Sequence, residues 1–197
     1  MFKPKILRII GFIFLFLSCT KQEALVFEKQ NFNENWLFKI IENSKKDTLS
    51  FQENETVSNW QLVQLPHTPK IEPKIVNNQW QGISCYKKEF NLSKQLKNKK
   101  LFFKFEGAMN IAEVWINGKK LTKHYGGYLP FVIDFTEVAL FDTKNTILVQ
   151  LNNKDNPITG PKPLEKLDFN TYGGIYRNVW LIAKNKLHIT DPIFENK

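Results

Sequence analysis

The sequence predicts an all-β domain, a sandwich or a barrel, and three observations carry that expectation. Nine short apolar runs recur about every 10–15 residues with turn residues between them, the spacing of an antiparallel β domain. No segment sustains the 3.6-residue period of an amphipathic helix. Trp115-Ile116-Asn117-Gly118-Lys119 sets Asn-Gly between two β runs, a strong two-residue hairpin signal because both turn positions need positive φ.

The expected strands are 35–41, 60–65, 83–92, 100–107, 111–117, 119–123, 131–136, 145–152 and 174–184. Leu101, Phe103 and Phe105 alternate with Phe102, Lys104 and Glu106, so one face of that strand should turn inward and the other outward. Lys94, Lys97, Lys99 and Lys100 read as a solvated turn before it. Gly126-Gly127 and Gly173-Gly174 mark turns. Residues 153–172, with three prolines, read as a long irregular loop of the kind that tends to carry function. Cys85, in strand-like Ile83-Ser84-Cys85-Tyr86, is expected to be a small buried side chain.

Ahead of the strands lies an address. Residues 1–8 are basic, and 9–17 (IIGFIFLFL) form an apolar run of about 14 Å as a helix, half a membrane span. Residues 1–18 therefore read as a signal peptide. Ser18-Cys19 is similar to a bacterial lipobox, which implies lipidation of Cys19, export and anchoring to a bacterial membrane, periplasmic or at the cell surface. Residues 19–29 would be a tether.

Composition removes several functions. With 17 Phe, 5 Trp and 5 Tyr in 197 residues the chain has ample core, and two cysteines cannot staple it. The net charge is +9, yet all but two of the 28 basic residues are Lys, a poor set for bidentate recognition of phosphate or bases. Nucleic acid is not an expected partner. A (β/α)₈ barrel needs roughly 250 residues and does not fit. No Gly-x-Ser-x-Gly, His-Glu-x-x-His or phosphate-binding glycine loop occurs, and His67, His124 and His188 lie far apart. Neither catalytic residues nor metal ligands nor a cofactor are expected.

Binding is the remaining class. Sugar rings stack their C–H faces on aromatic side chains, and Trp36, Trp60, Trp80, Tyr125, Tyr128 and Tyr172 lie near expected loops. The competing role for each is core packing. Asp168 and Asn170 stand in the long loop just before Gly173-Gly174, where they could bind hydroxyls or simply make an Asx turn.

An ordered set of motifs resembles the N-terminal sugar-binding domain of glycoside hydrolase family 2, the β-galactosidases, β-glucuronidases and β-mannosidases. They are Trp60 with Leu65-Pro66-His67-Thr68; Trp80-Gln81-Gly82; Tyr86-Lys87-Lys88; Phe105-Glu106-Gly107-Ala108; Val114-Trp115-Ile116-Asn117-Gly118; His124-Tyr125-Gly126-Gly127-Tyr128; Asp134-Phe135-Thr136; and Tyr172-Gly173-Gly174-Ile175-Tyr176-Arg177-Asn178-Val179. The resemblance implies a jelly-roll (galactose-binding-like) β-sandwich over 30–186, with 187–197 leading toward an immunoglobulin-like domain and a catalytic barrel that this sequence does not include. It implies a carbohydrate ligand, β-galactoside-like, and as further partners the remaining domains of a glycosidase. Asp168, seven residues before Ile175, matches the family aspartate that binds the terminal sugar; Asn77 and Asn78 lie where a companion Asn is expected. Trp80 and Asn170 complete the expected substrate-binding set. Arg177 is expected to sit in a structural charge pair, with Glu106 as partner. A free-standing, surface-anchored glycan-binding lipoprotein and a ligand-free structural fragment are the alternatives.

Overall fold

The computed structural model describes residues 29–41, 60–71, 79–159, 166 and 171–189. Ten strands run through them: β1 Lys29–Asn31, β2 Trp36–Ile41, β3 Gln61–Val63, β4 Ile83–Asn91, β5 Lys100–Phe105, β6 Ile111–Ile116, β7 Lys119–Tyr125, β8 Phe131–Asp134, β9 Lys144–Asn152 and β10 Val179–Lys184. They form two antiparallel sheets, one of four strands in the order β1-β10-β5-β8 and one of six in the order β3-β2-β4-β9-β6-β7. No α-helix occurs among the described residues; Lys94–Leu96 and Thr136–Val138 are single 3₁₀ turns. The all-β sandwich is as expected.

Alternation decides which side chains meet between the sheets. Leu101, Phe103 and Phe105 of β5 are fully buried. They lie in one core with Tyr86 of β4, Val114 of β6, and Ile147 and Val149 of β9. Phe103 stacks on Phe135 at 4.5 Å, and Phe105 on Phe131 at 4.8 Å. Trp36 is wholly buried too, its indole N–H donating to the Phe32 carbonyl at 2.7 Å, so packing and not ligand contact is its role. Lys88 faces inward on the same sheet. Its ammonium lies 3.7 Å over the Phe32 ring and donates to the Phe32 carbonyl, and burial pushes it down to about 8 despite the charge of Glu34.

The hairpin between β6 and β7 has the geometry that Asn-Gly favours, with φ of +50° at Asn117 and +79° at Gly118. Asn117 does more than turn. Its amide donates to the Val138 carbonyl and to Asn145 Oδ1, and its oxygen accepts the Thr146 N–H. Cys85 is fully buried and in no disulfide, as expected.

Four details differ from the sequence expectation. β1 was not foreseen, since its three residues are exposed and carry no apolar pattern; pairing with β10 alone makes it a strand. The expected strand 131–136 ends at Asp134, whose carboxylate turns back to accept from both the N–H and the hydroxyl of Thr136. The strand expected from 174 begins only at Val179, because Gly174 sits at φ +96° and makes a single bridge to Met109. Arg177 does not pair with Glu106. Glu106 instead accepts from Trp180 Nε1 at 2.8 Å and Asn178 Nδ2 at 2.9 Å, while the exposed Arg177 lies over the Tyr176 ring.

Candidate functional site

One end of the sandwich gathers the turns that sequence reading singled out. There β9 ends, β4 and β6 begin, and the segment 171–175 passes by. The half-buried Asn153, one residue past β9, is the hub. Its Oδ1 accepts the Gly82 N–H at 2.7 Å and its Nδ2 donates to the Trp80 carbonyl at 3.0 Å, so one amide clamps both sides of the Trp80–Gly82 turn. The Trp80 indole packs against Gly82, where an added Cβ would come within 2.6 Å of the ring. Trp80 itself is half-buried, so part of it reaches solvent.

Gln79, beside it, is 6% exposed, and its Oε1 accepts the Thr171 N–H at 2.7 Å. Asn153 also abuts Gly173, at 2.8 Å from the position a Cβ would occupy. The Gln79–Trp80 turn and the start of the 171–175 segment are thus fastened to each other. Asp168 and Asn170 fall in the stretch directly before that fastening and lie outside the described residues, as do Asn77, Asn78 and Cys19.

The 171–175 segment is held from its other side by a polar cluster. His67 Nδ1 lies 2.9 Å from the Tyr86 hydroxyl, and the His67 N–H donates to the Ile175 carbonyl. Gly174 closes against both: a Cβ there would lie 2.5 Å from the His67 carbonyl and 2.6 Å from the Tyr86 hydroxyl. With φ at +96°, only glycine suits the position. Burial pushes the Tyr86 phenol up and the His67 imidazole down, so both stay neutral near pH 7.

A third cluster rims the same end. Asn110 Nδ2 and Asn156 Nδ2 both donate to Thr159 Oγ1 at 2.6 Å, and the Asn110 carbonyl accepts from Gly126. Tyr128 stands 55% exposed and Tyr125 45%. The end therefore presents the aromatic faces of Trp80, Tyr125 and Tyr128, framed by amides that the fold itself engages, and such faces suit the C–H faces of a sugar ring. Sequence reading found Trp80 but missed Gln79, Asn110 and Asn153. Their only signal was a wealth of Asn and Gln near Gly-rich turns.

Four of the described acids have partners of their own. Burial pushes Glu113 up, but Lys120 and Lys123 outweigh it and hold its carboxyl below the usual range. Burial also opposes the lowering of Glu106 and Asp134, yet the Trp180 and Asn178 donors, and those of Thr136 with Lys100, prevail. Lys94 does the same for Asp142.

Comparison with known proteins identifies the family. The family model for the glycosyl hydrolases family 2 sugar binding domain matches residues 24–185. A β-galactosidase of Thermoanaerobacter pseudethanolicus is 36% identical over 167 residues, covering 83% of this chain and 22% of that protein. A β-glucuronidase of Formosa agariphila is 34% identical over 180 residues, 84% of this chain and 18% of the relative. Among solved structures, a Bacteroides uniformis β-glucuronidase superposes with a TM-score of 0.67 at 30% identity, over 79% of this chain and 18% of that one. The chain spans about a fifth of the length of these relatives.

Proposed function

Since the chain belongs to the sugar-binding domain of the family 2 glycosyl hydrolases, we propose that it is the non-catalytic, sugar-binding module of a β-galactosidase- or β-glucuronidase-like enzyme. Joined to a catalytic barrel, it would take part in hydrolysing O-glycosyl bonds. The observation that carries this reading is the clamp at the loop end: Gln79, Trp80 and Asn153 fasten the residues that follow Asp168 and Asn170. In this reading Asp168 and Asn170 bind sugar hydroxyls and Trp80 stacks on the ring.

We further propose that Cys19 is lipidated and anchors the exported chain to a membrane. Mass spectrometry of the mature N-terminus tests it: an unmodified Cys19, or cleavage elsewhere, refutes the anchor.

The functional reading is tested with the full chain. Chromogenic β-galactoside and β-glucuronide should remain uncleaved, and turnover above a boiled control refutes the non-catalytic role. Calorimetry with galactose and methyl glucuronide should show weak binding that Trp80→Ala and Asp168→Asn abolish. Binding untouched by both variants would refute the site. Tight binding by this chain alone would favour a free-standing glycan-binding protein.

A further inference from the structure

The hairpin between β6 and β7 carries the only Asn-Gly pair in the sequence. Such a pair is a chemical liability as well as a turn. The Gly nitrogen can attack the Asn side-chain carbonyl carbon, because no Cβ beside it stands in the way. A new C–N bond closes a cyclic imide, the bond to the amide nitrogen breaks, and ammonia leaves with the proton of the Gly nitrogen. Water then opens the ring at either carbonyl, leaving aspartate or isoaspartate. Water is the one co-reactant.

In the folded chain both ends of the Asn117 amide are tied down. Its Nδ2 donates to the Val138 carbonyl at 2.7 Å and to Asn145 Oδ1 at 2.9 Å, and its Oδ1 accepts the Thr146 N–H at 2.9 Å. The Asn117 N–H also donates to the Thr146 carbonyl. β7 is an edge strand, yet these ties run inward, to β9 and to the 3₁₀ turn after β8. Ring closure needs the amide to rotate toward the Gly118 nitrogen, and each tie opposes that rotation.

The same network tells an amide from an acid. Asn145 is wholly buried and its amide is fixed one way round. Its Nδ2 donates to the Leu140 carbonyl at 2.7 Å, while its Oδ1 accepts the Leu140 N–H at 2.9 Å. Asn117 Nδ2 therefore meets two acceptors. A carboxylate oxygen in its place would face both without a proton to share. Isoaspartate would also lengthen the backbone by one carbon between Ile116 and Lys119, which pair across the hairpin.

We propose that Asn117 is a modification site gated by folding: the open chain loses the amide there, and the loss bars return to the native hairpin. The turn thus keeps a one-way record of time spent unfolded.

Peptide mapping of the full chain by mass spectrometry tests this, after equal incubation in mildly alkaline buffer with and without denaturing urea. In urea the peptide holding Asn117 should gain the mass of an acid in place of an amide, and Gly118→Ala should slow that gain. Without urea it should be at least about a hundredfold slower, because only an opened minority reacts. Modified chains returned from urea, and Asn117→Asp made directly, should melt about 10 °C below the parent. Equal rates in the two buffers overturn the gating. A modified chain or an Asn117→Asp variant that melts with the parent overturns the bar to refolding. Acid formed in urea at other asparagines but not at Asn117 overturns the site itself.

Discussion

Replacing Asn153 by alanine is the sharpest test of how the loop end is built. The change removes the acceptor for the Gly82 N–H at 2.7 Å and the donor to the Trp80 carbonyl at 3.0 Å. Two net hydrogen bonds at about 0.5–1.5 kcal/mol each give a loss of about 1–3 kcal/mol. For a domain of this size about 1 kcal/mol shifts the thermal midpoint by about 2–4 °C, so the expected drop is about 2–12 °C by calorimetric melting. Asn153→Leu keeps the bulk beside Gly173 but makes neither bond, and should fall as far as alanine. If leucine melts like the parent while alanine does not, the hub works by filling space, and its hydrogen bonds contribute nothing. A native midpoint in both variants refutes the clamp altogether.

Other expectations follow from the same geometry. Gly118→Ala forces a Cβ onto φ +79° and should cost about 1–2 kcal/mol in urea unfolding; Asn117→Ala should cost more, because three side-chain hydrogen bonds go as well. Burial lowers His67 and His124, so the unfolded chain binds the extra protons as pH falls through 6.5; stability should decline from there downward. Melting midpoints of His67→Gln should decline less over that window, and an unchanged pH slope would sink the assignment. Glu113 is depressed, so its contribution is present above 4.5 and lost as pH falls through its folded value; Glu113→Gln should flatten the acid limb of the stability curve. Lys88, near 8 when folded and 10.5 when free, should make stability rise between those pH values, a rise that Lys88→Met removes.

Local chemistry was readable in the sequence wherever it decided the outcome. Asn117-Gly118 specifies its turn unaided, and the Leu101, Phe103, Phe105 alternation names the core face because a strand has only two sides. β1 was illegible because Lys-Gln-Asn becomes a strand only through a partner some 150 residues away. The Arg177–Glu106 pair failed for a related reason. Opposite charges near a strand suggest each other, but Asn178 and Trp180 bring N–H donors to Glu106 first, and nothing in the sequence ranks neutral donors above a guanidinium. At the loop end Trp80 was visible because a tryptophan beside a turn suggests ring stacking; Gln79 and Asn153 were not, since an amide's worth depends on which backbone groups the fold leaves unsatisfied.

The two sheets also differ in when they can form. The six-stranded sheet can begin from local pairings, β2 with β3 and the β6–β7 hairpin, and β9 closes its middle by residue 152. In the four-stranded sheet, β1 can pair only with β10, so the first strand waits for the last. A chain emerging from a ribosome or a translocation pore would hold Leu101, Phe103 and Phe105 half-covered until residue 184 arrived. During that interval the unpaired flank of β5 is a template for foreign strands. Vectorial synthesis therefore makes the closing strand, rather than any ligand contact, the step on which escape from aggregation depends.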